Sequence, residues 1–151
     1  MHSLARRFLK TAIAFLVVGL SLGVWLLIRR ELGGDAISAR ELSAHTHSLL
    51  VGFVMMMIAG VALWLFPRPS TDDTRYKPRL AEAAWWCIAP GTALRVTAEV
   101  LAGFEPGRGL RTAILVGGLA QAVGLALVFW TLYPRIRAAG SAQREAKGER
   151  F

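Results

Sequence analysis

Two histidines, His45 and His47, are the residues of this sequence with the clearest capacity for chemistry. They are two of only three histidines in 151 residues, and they lie in a stretch of 25 residues, Leu42 to Phe66, that contains no Lys, Arg, Asp or Glu. An uncharged stretch of this length predicts a membrane-spanning helix, which needs about 20 apolar residues. Ionisable side chains are costly inside a bilayer, so the pair marks a candidate functional site.

The spacing of the two histidines limits what they can bind. Residues i and i+2 of an α-helix lie about 200° apart around its axis, so the two rings point to nearly opposite faces. A single small metal ion held from one regular helix needs i, i+3 or i, i+4 spacing instead. Opposite-facing imidazoles suit a helix that serves two neighbours, with each ring as an axial ligand of a separate haem. Hydrogen bonding to water or backbone, a copper site and a proton-handling site remain open alternatives.

Three further polar or reactive features lie in the later apolar segments. Arg95 and Glu99 share one helix face, where they can neutralise each other as an ion pair, Arg95 can meet an anionic ligand group, or both can hold. Gln121 is expected to make an interhelical hydrogen bond rather than a substrate contact. Cys87 is the single cysteine, and its apolar neighbours predict a buried, unreactive thiol.

Four apolar segments are expected to position these groups. The predicted helices cover about residues 9–28, 42–66, 80–104 and 112–133 of a transmembrane domain at 1–137, followed by a polar, basic tail at 138–151 that is predicted to be disordered. The chain has 54% hydrophobic residues, and an ordinary soluble domain would not carry several uncharged segments of this length. The predicted fold class is therefore an all-α integral membrane four-helix bundle.

Local signals mark how these helices begin and pack. Ser38 and Glu41 predict a capping box that starts the second helix before the bilayer. Gly19 and Gly23 form a G-x-x-x-G pair, which permits a close approach by another helix. The first segment is interpreted as a retained anchor rather than a cleaved signal, because it ends in two arginines instead of small residues.

The distribution of basic residues predicts the orientation. Net charge is +8, and twelve Lys and Arg residues lie at or beyond the ends of the apolar segments on one side, against five on the other. The positive-inside rule then places both termini in the cytoplasm and the histidines near the outer face. Arg40, Arg108 and Arg111 lie at that outer end with Arg95, where they could pair with the propionates of a haem. No nucleic-acid motif is present, and membrane lipid is the expected surrounding.

The stretch Arg40–Arg68, in which Ala44-His45-Thr46-His47 leads into a Met-rich helix closed by Pro-Arg, resembles the second helix of haem–copper oxidase subunit I. It is most similar to the cbb3 oxidase and nitric-oxide-reductase branch and to small NnrS-like relatives. The resemblance implies that His45 is an axial ligand of haem b near the outer face. It also implies a fold that corresponds to one third of the family's twelve-helix subunit.

That twelve-helix subunit looks like three four-helix units around a pseudo-threefold axis. A chain that resembles one unit implies a homotrimer in a bacterial inner (plasma) membrane, with each haem b between His45 of one chain and His47 of the next. The family's catalytic centre also needs copper-site histidines, and this sequence has only His2 besides the pair. Oxidase or reductase activity of the chain alone is therefore not expected.

The sequence thus predicts a cytochrome-like, iron-containing membrane protein with haem b as cofactor. Its role would be electron transport or the binding of a diatomic gas such as nitric oxide, with His45 and His47 at the metal and the four arginines at the propionates. One alternative is a non-catalytic accessory or assembly subunit with a respiratory partner. The other is a haem or metal carrier.

Overall fold

The computed structural model describes residues 3–34, 36–66, 77–136 and 147–148, and all of its elements are helical. They are α1 (Ser3–Glu31), α2 (Ala39–His47), a π-helical segment (Ser48–Met55), α3 (Met56–Leu65), α4 (Pro78–Phe104), α5 (Arg108–Leu132) and a 3-10 turn (Tyr133–Arg135). The predicted all-α class is confirmed. His2, and the predicted tail apart from residues 147–148, lie outside the described residues.

Three described helical runs are long and apolar enough to cross a membrane: Ser3–Glu31, Ala39–Leu65 and Arg108–Arg135. The remaining long helix, α4, has 27 residues and includes Arg95 and Glu99. These charges, together with two tryptophans and two threonines, lower the apolar content of α4 below that of the others. Length and composition therefore support three spans, where four were predicted.

The helices pack largely in chain order. α1 lies against α2, the π-helical segment and α3, α2 lies against α4, and α4 packs along α5. Glycines permit the last contact, because a Cβ added at Gly117 would lie 2.7 Å from the carbonyl oxygen of Gly91. The largest fully buried apolar side chains are Phe8, Met56, Ile88 and Val128, which belong to one core cluster.

The start of α2 is fixed by the predicted capping box. The Ser38 hydroxyl accepts the amide of Glu41 at 3.2 Å, and the Glu41 carboxylate accepts the amide of Ser38 at 2.9 Å. The same carboxylate forms an ion pair with Arg29 near the end of α1. The Arg29 guanidinium in turn lies 4.8 Å from the ring centroid of Trp25. These contacts hold the first turn of α2, and hence the histidines that follow, against α1.

The backbone changes from α- to π-helix directly after His47. The π-helical segment rests on α1, where Ser48 donates to the carbonyl of Phe15 at 3.0 Å. A Cβ added at Gly52 would come within 2.5 Å of the Phe15 ring, so this contact depends on glycine. π-Helical turns are rare and occur frequently at functional sites. This one changes the angular relation between the histidines and the membrane-buried residues that follow them.

Candidate functional site

His45 lies against α1, on the G-x-x-x-G pair. Its Nδ1 is 2.9 Å from the carbonyl oxygen of Gly19, and a Cβ added at Gly23 would lie 2.7 Å from its Cε1. A carbonyl oxygen only accepts, so Nδ1 must carry the proton. In the neutral ring Nε2 then keeps its lone pair, which is the form that binds a metal. The glycine pair therefore provides room for an imidazole and fixes its tautomer.

His47 faces the opposite neighbour, α4. Its Nδ1 is 2.9 Å from the carbonyl oxygen of Ser43 and 3.2 Å from the Ser43 hydroxyl. The carbonyl again requires the proton on Nδ1 and leaves the lone pair on Nε2. The side chain of His47 is 25% exposed. Nδ1 of His47 also lies 3.9 Å from Oε2 of Glu99 on α4, so the two rings face different helices, as their spacing predicted. Both rings keep the lone pair on the same nitrogen, Nε2.

A polar cluster on α4 adjoins His47. The Ser43 hydroxyl donates to Oε1 of Glu99 at 2.9 Å, and Nε of Arg95 donates to the same oxygen at 2.9 Å. Glu99 is 3% exposed, and its Oε2 has no hydrogen-bond partner among the described residues. That oxygen lies 3.9 Å from Nδ1 of His47. The buried carboxylate is therefore balanced by Arg95 and still presents an oxygen to the imidazole.

The cluster continues into α5. Nη1 of Arg95 donates to the side-chain oxygen of Gln121 at 3.2 Å, and the Gln121 amide donates to the Thr92 hydroxyl at 3.0 Å. The predicted Arg95–Glu99 ion pair and the predicted interhelical bond of Gln121 are both confirmed. Together these bonds connect α2, α4 and α5 at the depth of the histidines.

The four arginines that were predicted to meet an anionic group occupy different surroundings. Arg95 is half-buried in the cluster, and Nη1 of Arg40 donates to the carbonyl of Ala102 at 3.1 Å. Arg108 and Arg111 are exposed in the first turn of α5. Among these four arginines, only Arg95 is connected to a histidine by the contacts described above. It pairs with Glu99, whose other carboxylate oxygen lies 3.9 Å from Nδ1 of His47.

The described residues include no group of three or more His, Cys, Asp or Glu side chains that could hold a metal ion. Axial ligation of a planar cofactor requires only one imidazole nitrogen from each helix. Cys87 is half-buried rather than buried as predicted, because it lies toward the edge of the contact between α4 and α5.

Sequence reasoning did not identify Ser43 or the role of Gly23. The G-x-x-x-G pair predicted close packing, but glycine spacing does not state which side chain fills the space. Ser43 lies four residues before His47, a spacing that places both on one helix face. That spacing was the available signal for their hydrogen bond.

Comparison with known proteins adds a family assignment to this geometry. The model of the family described as Cytochrome C and Quinol oxidase polypeptide I matches residues 3–144, a range that contains both histidines and all of α1 to α5. Searches of curated proteins and of solved structures found no significant match.

Proposed function

Because the chain belongs to the cytochrome c and quinol oxidase polypeptide I family, we propose that it binds haem b and serves in electron transfer or in the binding of a diatomic gas such as nitric oxide. The chain is a multi-pass membrane protein related to the haem–copper oxidases. Within that family, the proposal follows the small cbb3-, nitric-oxide-reductase- and NnrS-like branch that its second helix resembles.

The observation that carries the proposal is the shared state of the two imidazoles. Both His45 and His47 donate from Nδ1 to a backbone carbonyl, at 2.9 Å in each case. A ligating histidine almost always donates its other ring N–H in this way, which fixes the ring and raises its basicity. Two histidines held alike on one helix favour ligation over incidental hydrogen bonding at the membrane interface.

The surroundings of both histidines would suit residues that hold a haem. At His45, the missing Cβ of Gly23 leaves a cradle for the ring, since an added carbon would lie 2.7 Å from Cε1. At His47, the negative oxygen of Glu99 at 3.9 Å favours electron donation by the imidazole. Bound haem would supply an iron centre that exchanges one electron or binds a gas. The chain's part is to hold the two Nε2 atoms in place.

Arginines at the same end suit the carboxylates of a haem. Arg108 and Arg111 are exposed, and Nη1 of Arg40 donates a hydrogen bond to the carbonyl of Ala102. Guanidinium groups pair with carboxylates in a planar, charge-assisted geometry. We assign these three, with Arg95, to the propionates. Since Arg95 already pairs with Glu99, the outer three are the stronger candidates for direct contact.

The proposed orientation has four spans, with both termini in the cytoplasm of a bacterial inner membrane. α4 is included because its two central charges neutralise each other at 2.9 Å, which lowers the cost of placing them in a bilayer. With four spans, both histidines lie at the outer end and the basic termini lie inside.

A homotrimer would complete the site. The side chain of His47 is 25% exposed, so this chain alone leaves part of the ring uncovered. A heterologous contact that closes into a ring would bring His45 of one chain near His47 of the next. In that arrangement His45 of one chain and His47 of the next would hold each haem b at a subunit interface.

The optical spectrum of the purified protein tests the function. We expect reduced-minus-oxidised bands of a b-type haem that carbon monoxide does not alter, because two imidazoles leave no open position on the iron. A carbon monoxide shift would indicate one ligand and favour gas binding. A protein that is folded and shows no haem bands would contradict the proposal.

A second candidate function is an accessory or assembly subunit of a respiratory complex. It is favoured by the histidine count, because the sequence has three histidines and therefore too few for a separate copper site beside the pair. Co-purification with a larger complex, without haem bound to this chain, would support it. Haem lost reversibly to a scavenger would instead identify a carrier.

A further inference from the structure

A basic pocket lies at the end of the bundle opposite to the histidines. Its volume is about 280 Å³, and it is lined by the starts of α1 and α4, the end of α3 and Arg135. His45 lies near the start of the second helical run and Leu63, at the pocket, lies near its end. The pocket is therefore separate from the proposed haem site.

Three arginines from different elements converge on this pocket: Arg7, Arg79 and Arg135. Arg135 is 3% exposed and is held by the carbonyls of Leu63 at 3.1 Å and Phe66 at 2.7 Å. A guanidinium group that is buried against helix-end carbonyls keeps its charge and gives the pocket a fixed positive side. The pocket is thus built around an anchored cation rather than around mobile surface side chains.

The other charged groups of the described lining are Arg7, Arg79 and Glu82. Arg7 pairs with Glu82 at 3.1 Å, and both side chains are about half exposed. Arg79 is exposed and forms no side-chain hydrogen bond or ion pair with a described residue. Glu82, which pairs with Arg7, is the one carboxylate among the described residues that line the pocket. A phosphate group offers several acceptor oxygens and can therefore accept from more than one guanidinium group.

We propose that this pocket binds a phosphate group, such as that of an anionic phospholipid headgroup. Arginine recognises phosphate by paired N–H donors, and several such donors converge here from three helices. The pocket also lies at a membrane-facing end of apolar helices, where basic pockets between helices bind anionic lipid headgroups. Its volume is several times the roughly 30 Å³ that one water molecule occupies, so a phosphate group fits.

The test is phospholipid binding to the full chain, purified in detergent and measured by native mass spectrometry. Phosphatidylglycerol is titrated with phosphatidylcholine as the zwitterionic comparison and with inorganic phosphate as a competitor. We expect saturable binding of phosphatidylglycerol that is weakened about five-fold by Arg79→Gln and by Arg7→Gln, since each basic residue near a membrane surface contributes a factor of this order. Arg6→Gln is the matched control, because Arg6 is exposed beside Arg7 but does not line the pocket.

Glu82→Gln gives a result in the opposite direction. It removes the one carboxylate among the described lining residues and releases Arg7, so we expect binding to strengthen about five-fold. This variant keeps the proposal testable should an arginine variant fail to fold. Displacement by millimolar inorganic phosphate would support the site and identify free phosphate as its source, and persistence would identify the lipid. Equal affinity in Arg79→Gln, Arg7→Gln and Arg6→Gln, with no gain in Glu82→Gln, would overturn the proposal.

Discussion

At His45, two features of α1 act on one ring. The carbonyl of Gly19 accepts the Nδ1 proton at 2.9 Å, and Gly23 leaves the space that the ring occupies. The Gly19 carbonyl fixes the proton on Nδ1 and so leaves the lone pair on Nε2, and the space at Gly23 fixes the position of the ring. A histidine that is displaced by about 1 Å can fail to bind its metal, although the residue type is unchanged.

The variant Gly23→Ala tests this arrangement. The added methyl would meet Cε1 of His45 at 2.7 Å, so the ring must move away from Gly19. We expect a several-fold lower haem-to-chain ratio after purification, with helicity unchanged. Gly109→Ala is the matched control, because Gly109 is also helical and an added Cβ there meets no atom within 4 Å. Equal haem retention in both variants would show that the close packing of His45 is not needed.

The buried pair on α4 is a second residue-scale feature that can be tested. Glu99→Gln leaves Arg95 half-buried without its countercharge, which we expect to lower the free energy of unfolding by about 3 kcal/mol. Unfolding in mixed detergent micelles, followed by circular dichroism, provides the measurement. Glu82→Gln breaks an ion pair that is about half exposed, so we expect a loss of at most about 1 kcal/mol.

A double variant separates the net contribution of the Arg95–Glu99 ion pair to the free energy of unfolding from the cost of removing only one partner. Arg95→Met with Glu99→Leu removes both charges, and we expect it to recover most of the stability lost in Glu99→Gln. Should the double variant be as unstable as Glu99→Gln, the hydrogen bonds to Ser43 and Gln121 would carry the stability instead.

Residue spacing predicted part of this site and not the rest. The i, i+4 spacing of Arg95 and Glu99 indicated their ion pair, because helix geometry alone places them together. The bond from Ser43 to Glu99 joins residues 56 positions apart, and no periodicity within one helix gives the rotation of its neighbour. The same limit explains why Gly23 was assigned to helix packing in general.

At the scale of elements, the capping box positions the histidines by fixing where α2 begins. Ser38→Ala removes the acceptor for the Glu41 amide, and we expect a loss of about 1 kcal/mol in the free energy of unfolding. Ser21→Ala is the control, because Ser21 is exposed within α1, where alanine is at least as favourable. The same detergent unfolding assay measures both. If Ser38→Ala left the free energy of unfolding unchanged, the Arg29–Glu41 ion pair alone would hold the start of α2.

The sequence predicted where the helices lie along the chain but not the residues at which they begin. α1 begins at Ser3 and α5 at Arg108, before the apolar segments at 9–28 and 112–133. Charged residues end an apolar segment, but arginine and lysine are good helix formers, so the backbone continues past the membrane boundary. The π-helical segment was not predicted, because Leu, Val, Phe and Met do not distinguish π- from α-helical bonding.

At the scale of the whole molecule, much apolar surface of α1 remains uncovered. Val17, Leu20 and Val24 are each more than half exposed. In a membrane this surface meets lipid or another subunit. The family assignment and the all-α class followed from sequence features, whereas assembly depends on surfaces whose partners a single chain does not specify.

The mass of the detergent-extracted protein tests the assembly. We expect three chains of 16.4 kDa each, with one haem b per chain, because each interface pairs one His45 with one His47. Light scattering with detergent correction gives the mass, and the haem-to-chain ratio comes from absorbance. Haem-containing monomers would reject the trimer and retain ligation. A haem-free trimer would reject ligation and retain the assembly.

The most direct measurement of the central claim is the haem-to-chain ratio of three alanine variants, determined by the pyridine haemochrome assay. His45→Ala and His47→Ala each remove one Nε2 that the structure holds in the ligating tautomer. His2→Ala removes the remaining histidine of the sequence and serves as the control. We predict loss of most haem b in the first two variants and wild-type content in His2→Ala. Equal haem content in all three, or none in the folded wild-type protein, would contradict the account.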